Sequence, residues 1–117
     1  MFDKVIKIGM LYDFYGQLLT DKQREVMHLY YEDDYSLGEI AENLSISRQA
    51  VYDTLKKSEK ILLEFEDKLK LFDKFKESEY VHKKIIDKID LLLESYKEDE
   101  YLTSQLNKMK EILQENI

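Results

Sequence analysis

The residue types best suited to molecular recognition lie close together between Ser47 and Lys60. Arg48 and Gln49 can hydrogen-bond base edges, and Tyr52 can stack on a base. The lysines that follow can neutralise phosphates. We therefore expect one surface to contact nucleic acid or a protein partner, formed by Ser47, Arg48, Gln49, Tyr52, Asp53, Lys56, Lys57 and Lys60.

A helix-turn-helix must position these side chains, and the apolar spacing of residues 36–55 predicts one. Leu37 and Ile40 place an apolar stripe on a short first helix, and Val51 and Leu55 supply the facing stripe on a second. At about 100° per residue, one side of the second helix lies opposite this stripe and carries Gln49, Tyr52, Asp53, Lys56 and Lys60.

Three helix starts carry capping signals. Ser36 precedes Glu39 by three residues, which predicts a capping box at the first helix of the motif, and Thr20 with Gln23 predicts another. Ser47 is a suitable N-cap for the second helix of the motif. These signals predict where the two helices of the motif begin.

The charge pattern leaves the partner of this surface open. The segment from Ser47 to Lys60 contains four basic and two acidic residues, yet the whole chain carries a net charge of −7. A protein that binds duplex DNA on its own normally has a basic footprint, and Asp53 opposes a phosphate backbone. We therefore rank a structural or protein-docking role above sequence-specific DNA binding, and binding to RNA through local basic contacts stays open.

Composition predicts an all-α protein. The 117 residues include no proline and three glycines, and 44 % of them are hydrophobic. The absence of cysteine excludes disulfides and thiolate metal sites. No signal peptide and no apolar run long enough to span a membrane occurs, so we expect a cytoplasmic protein without membrane insertion.

Catalysis has little support in this sequence. His28 and His82 lie far apart, and the chain has no glycine-rich phosphate loop, nucleophile elbow or metal-ligand spacing. We expect no enzymatic activity, no metal and no cofactor.

The remaining apolar spacing predicts further helices over residues 2–18 and 20–31 and a long stalk helix that continues the motif's second helix through Phe72. Ser78 is the predicted N-cap of the next helix, and a last helix begins near Leu102. We expect a helix-turn-helix domain over residues 1–67 and a C-terminal helical extension over residues 68–117. The extension carries more apolar surface than a lone stalk can bury, so we expect it to form a helical hairpin or to pair with a second copy as a homodimer.

Five phrases of the sequence, taken together and in order, resemble the YlxM family of small bacterial proteins. The resemblance covers about residues 2–75, and the phrases are 11–20 (LYDFYGQLLT), 23–25 (QRE), 29–31 (LYY), 36–42 (SLGEIAE) and 46–53 (ISRQAVYD).

The resemblance implies a helix-turn-helix similar to region 4 of sigma factors. It also implies a regulatory role in the bacterial signal recognition particle pathway, through the particle's GTPase and its small cytoplasmic RNA. The alternative is a transcription regulator that binds duplex DNA through the same helix. One departure is Ser45, which stands where helix-turn-helix motifs usually place a glycine with positive φ.

Overall fold

The computed structural model describes residues 2–115, and all regular structure in that range is helical. The predicted all-α class is therefore confirmed. The helices are α1 (Phe2–Tyr15), α2 (Asp21–Tyr31), α3 (Leu37–Leu44), α4 (Arg48–Leu69), α5 (Leu71–Ser95) and α6 (Glu100–Glu115), with a 3₁₀ turn at Gly16–Leu18.

The chain divides into two compact units, Met1–Phe72 and Asp73–Ile117. In the first unit α1, α2 and α3 all pack on α4. The domain boundary predicted between residues 67 and 68 falls inside α4. The two predicted domains also include residues 1, 116 and 117, which lie outside the described residues. The core of the first unit consists of Ile8, Leu11, Tyr15, Leu19, Val26, Met27, Ile40, Val51, Leu55, Leu62 and Phe72.

Both predicted capping boxes are present. The Thr20 hydroxyl accepts a hydrogen bond from the Gln23 amide at 3.2 Å, and the Gln23 side chain accepts one from the Thr20 amide at 3.0 Å. Ser36 and Glu39 make the same reciprocal pair at the start of α3. Each box satisfies two backbone donors that a helix start would otherwise leave unpaired.

The turn between α3 and α4 depends on Ser45, which has a φ of 57°. This left-handed conformation is the one that glycine usually supplies, so serine adopts it at an energetic cost. The Ile46 amide donates to the Ala41 carbonyl at 3.0 Å across this turn and satisfies one of the last carbonyls of α3.

The stalk helix ends earlier than predicted. α4 stops at Leu69, Lys70 takes a left-handed φ of 57°, and α5 begins at Leu71. Phe72 therefore belongs to α5, and the prediction that it continues the stripe of α4 was wrong. The prediction that Ser78 caps the next helix was also wrong, because Ser78 lies inside α5.

Tyr15 and Glu66 provide the physical reason for the break. The buried Tyr15 hydroxyl donates to Glu66 Oε1 at 2.6 Å and accepts from the Leu71 amide at 3.1 Å. The same carboxylate oxygen accepts from the Phe72 amide at 3.0 Å. Two side chains thus satisfy two of the first backbone donors of α5, and Asp or Ser at the helix start is not needed.

The second unit contains a helical hairpin of α5 and α6. Asp99 is the N-cap of α6, since its carboxylate accepts from the Leu102 amide at 3.0 Å. Lys110 Nζ lies 2.8 Å from Asp90 Oδ1 and links the two helices. Ile89 and Leu106 are the buried apolar side chains described in this unit. Several large apolar side chains stay exposed there, namely Tyr80, Val81, Ile85, Leu91, Leu92, Tyr96, Tyr101, Met109 and Ile112.

Removal of the Tyr15 hydroxyl should destabilise the first unit. We expect Tyr15→Phe to lower the free energy of unfolding by about 1 to 3 kcal/mol, because it leaves a buried carboxylate and a backbone donor short of one partner. Burial and the Glu66 hydrogen bond raise the pKa of Tyr15. The proton on Tyr15 therefore stabilises the wild type below the ordinary pKa of about 10, and this contribution is lost as the pH rises toward the higher value of the folded state.

Urea titrations at pH 7 and above pH 10 measure both effects. Tyr15→Phe should lose less stability between the two pH values than the wild type does. Tyr101→Phe is the matched control, because Tyr101 is 75 % exposed. Equal stability of the Tyr15 and Tyr101 variants at pH 7 would contradict this role of the hydroxyl.

The homodimer through the C-terminal helices stays a prediction, and Leu91 offers a test. Leu91 is 62 % exposed, so Leu91→Glu should leave a monomer folded but should disrupt an apolar seam between copies. If the C-terminal helices also pair between copies, sedimentation velocity should show a dimer for the wild type and a monomer for the variant. A monomeric wild type would leave the intramolecular hairpin as the only one of the two predicted arrangements. Leu18→Glu, at a site 57 % exposed in the first unit, should sediment as the wild type does.

Candidate functional site: the exposed face of α4

The N-cap of α4 and the buried side of this helix determine which of its side chains are exposed. The Ser47 hydroxyl accepts from the Ala50 amide at 3.0 Å, which confirms Ser47 as the N-cap. Val51 and Leu55 are buried against the other helices of the first unit. All eight predicted residues are exposed, and we call them the α4 face: Ser47, Arg48, Gln49, Tyr52, Asp53, Lys56, Lys57 and Lys60.

Gln49 and Asp53 are paired on this face. Gln49 Nε2 donates to Asp53 Oδ1 at 2.9 Å, across one turn of α4. A bidentate contact from Gln49 to a base would have to replace this bond. The carboxylate also places a negative charge among the lysines.

Lys56 is engaged by its own helix. Its ammonium lies 5.5 Å from the centre of the Tyr52 ring and 3.6 Å from Glu59 Oε1. A cation held over an aromatic face and beside a carboxylate is less available to an external anion.

Arg48, Lys57 and Lys60 differ from Lys56. Across the described part of the chain, these three cations have no ion pair and no hydrogen bond from their side chains. The α4 face therefore offers three unpaired positive charges and one half-exposed aromatic ring, that of Tyr52. This set can bind phosphates or carboxylates by charge and a base or apolar group by stacking.

Glu59 lies on the buried side of α4, and sequence reasoning missed its role there. The Glu59 carboxylate accepts from the Tyr31 hydroxyl at 2.6 Å and is 9 % exposed as a residue. Burial and this hydrogen bond raise the pKa of Tyr31. The available signal was position, because Glu59 lies on the apolar stripe four residues after Leu55 and three before Leu62.

Residues 2–115 contain no group of three His, Cys, Asp or Glu side chains that could hold a metal ion. No described helix is both long and apolar enough to cross a membrane.

Comparison with known proteins identifies the family. The family model described as "Putative helix-turn-helix protein, YlxM / p13 like" matches residues 2–100. This chain belongs to the UPF0122 family. The match includes the helix-turn-helix and all of α5, so it reaches beyond the residues whose phrases carried the resemblance.

Relatives in the UPF0122 family match between three quarters and nearly the whole of this chain. The chain is 46 % identical to a UPF0122 protein of Geobacillus sp. (strain WCH70) over 96 % of this chain and 99 % of the relative. It is 45 % identical to one of Lactococcus lactis subsp. cremoris (strain MG1363) over 97 % and 96 %. A relative from Halalkalibacterium halodurans is 49 % identical over 77 % of this chain and 83 % of the relative. The family description agrees with the observed helix-turn-helix.

Proposed function

We propose that this protein is a regulatory accessory protein of the bacterial signal recognition particle pathway, which binds the particle's GTPase, its small cytoplasmic RNA or both. The α4 face is the proposed contact surface. The observation that carries the proposal is the set of three unpaired cations, Arg48, Lys57 and Lys60, exposed on an otherwise acidic chain. This role is regulatory, requires no catalytic step and implies a cytoplasmic location.

The charge distribution favours a local contact over a broad one. Three cations can neutralise a few phosphates, whereas Asp53 and the net charge of −7 repel the rest of a long duplex. A structured RNA or a protein surface needs only such a limited contact. Tyr52 adds a ring on which an unpaired base of an RNA loop can stack.

A DNA-binding transcription regulator is the second candidate. The left-handed Ser45 and the capping of α4 by Ser47 produce the helix-turn-helix geometry in which a second helix enters a major groove. Arg48 and Gln49 at the start of α4 are at the positions and of the types that contact base edges.

A triple variant tests the α4 face. Arg48→Ala/Lys57→Ala/Lys60→Ala should weaken binding of the small cytoplasmic RNA by about 10- to 100-fold. It should also reduce the salt dependence of binding, because a protein with fewer cations releases fewer counterions from the RNA when it binds. The measurement is a filter-binding titration at several salt concentrations, alongside a binding titration with the purified GTPase.

The control removes the same charge elsewhere. Lys4→Ala/Lys7→Ala/Lys22→Ala changes three exposed lysines of α1 and α2 and should bind both partners as the wild type does. If the α4-face variant retains wild-type affinity for the RNA and for the GTPase, this surface is not the contact. If neither partner binds the wild type, the proposed function fails.

Asp53→Asn separates docking on the GTPase from binding to duplex DNA, because it removes one charge and keeps an acceptor for Gln49. If the α4 face docks on a basic protein surface, the variant should bind the GTPase a few-fold more weakly, since an ion-pair partner is lost. If the face binds duplex DNA, the variant should bind DNA more tightly, since a repulsive charge is lost. Glu64→Gln, another exposed acid of α4, is the matched control.

A further inference from the structure

A groove runs beside α1, where α1 meets the end of α2 and the start of α3. It consists of two hollows of about 420 and 390 Å³ that share Val5 and Tyr31. A third hollow of about 280 Å³ continues it, sharing Tyr35 and Glu39 with the second. We call the three hollows together the α1 groove. None of its lining residues belongs to the α4 face.

The floor of the α1 groove is apolar. Val5 and Ile6 are 54 % and 49 % exposed, and Met10 is half-buried beside them. Gly9 has no side chain to fill the groove, and the space that a Cβ would occupy there is open, with no atom within 4 Å. Exposed aliphatic side chains in a concave surface are typical of a site that receives an apolar side chain from a partner.

Tyrosine rings form much of its walls. Tyr30 and Tyr31 pack edge to face with ring centres 5.0 Å apart, and Tyr12 and Tyr35 line the adjoining hollows. The Tyr12 hydroxyl donates to the Arg24 carbonyl, and the Tyr31 hydroxyl donates to the Glu59 carboxylate. These hydrogen bonds hold the two rings in place. Tyrosine faces attract Lys and Arg through the negative potential of the ring.

The charges of the α1 groove are all of one sign. Among the residues whose side chains the structure describes, 4–115, five carboxylates line it and no lysine or arginine does: the five are Asp13, Glu32, Asp34, Glu39 and Glu42. Glu39 is engaged in its capping box and Glu32 lies against His28. Across residues 2–115, the other three carboxylates have no hydrogen-bond or ion-pair partner. A partner that supplies cations would therefore be attracted without displacing an internal ion pair.

We infer that the α1 groove binds a basic amphipathic segment of a partner protein. Apolar side chains of the segment would contact Val5 and Ile6, and its Lys or Arg side chains would lie against the tyrosine rings and the carboxylates. Charge complementarity selects this occupant, since a nucleic acid would bring phosphates to five carboxylates, and a second copy would bring a net charge of −7. This inference does not depend on the proposed function.

A designed peptide is a direct probe of this chemistry. The probe is a fluorescein-labelled peptide of Leu-Lys-Lys-Leu-Leu-Lys-Leu heptads, measured by fluorescence anisotropy with the full chain. The variant Asp13→Asn/Asp34→Asn/Glu42→Gln removes the three unpaired carboxylates. Asp34 has a φ of 58°, a conformation that asparagine tolerates, so the backbone should be kept. We expect affinity about tenfold weaker than that of the wild type, with a smaller loss on adding salt.

Two further variants complete the test. Glu25→Gln/Glu64→Gln/Glu98→Gln removes three exposed carboxylates outside the α1 groove and should bind the peptide within about twofold of the wild type. Ile6→Ser, at an exposed site of the floor, should weaken binding several-fold while the circular dichroism spectrum stays that of the wild type.

Three outcomes would overturn the inference. The first is equal affinity of the two triple-carboxylate variants, which would reduce the attraction to net charge. The second is no effect of Ile6→Ser, which would remove the apolar floor from the contact. The third is no peptide binding by the wild type. If the sedimenting mass then changes with the groove variants, the groove belongs to a contact with a second copy. The α4-face variant Arg48→Ala/Lys57→Ala/Lys60→Ala should bind the peptide at least as well as the wild type, so this test is separate from that of the proposed function.

Discussion

The hydrogen bond between Tyr15 and Glu66 is the interaction on which the first unit depends most. A carboxylate buried at this depth must have partners, and Glu66 finds them in the Tyr15 hydroxyl and the Phe72 amide. The same hydroxyl accepts from Leu71. One pair of side chains therefore joins α1 to α4 and also satisfies the start of α5. The place where α4 ends follows from this pair, and so does the amount of α4 that packs against α1.

A second tyrosine–glutamate pair repeats the arrangement one helix further on. Tyr31 of α2 donates to Glu59, seven residues before Glu66 and on the same side of α4. Both pairs lie on the buried side of the helix, so the helix-turn-helix is fixed from behind by α1 and α2. The opposite side of α4 is exposed to solvent. Arg48 and its neighbours on that side can therefore be polar and available for a partner.

Local signals allowed much of this fold to be predicted. Capping boxes depend on residues three apart, and Ser47 and the apolar stripes depend on helical periodicity, so each could be identified from a short stretch of sequence. Exposure of the α4 face followed from the same periodicity. The end of α4 did not, because Leu69 and Phe72 keep the periodic spacing across the break and the groups that stop the helix are Tyr15 and Glu66, 51 residues apart. The α1 groove was missed for a similar reason, since its walls come from three helices and no single segment carries its pattern.

The distance along the chain between Tyr15 and its partners has a consequence for synthesis on the ribosome. α1 is translated before α4 and α5, yet the groups that bind the hydroxyl of its last residue, Tyr15, lie 51 and 56 residues later. Until α4 and the first turn of α5 have left the exit tunnel, α1 has an apolar stripe without a core and a hydroxyl without a carboxylate. Nascent α1 therefore exposes apolar surface until α4 has been made, and the first unit can become stable only when nearly all of its residues have been made.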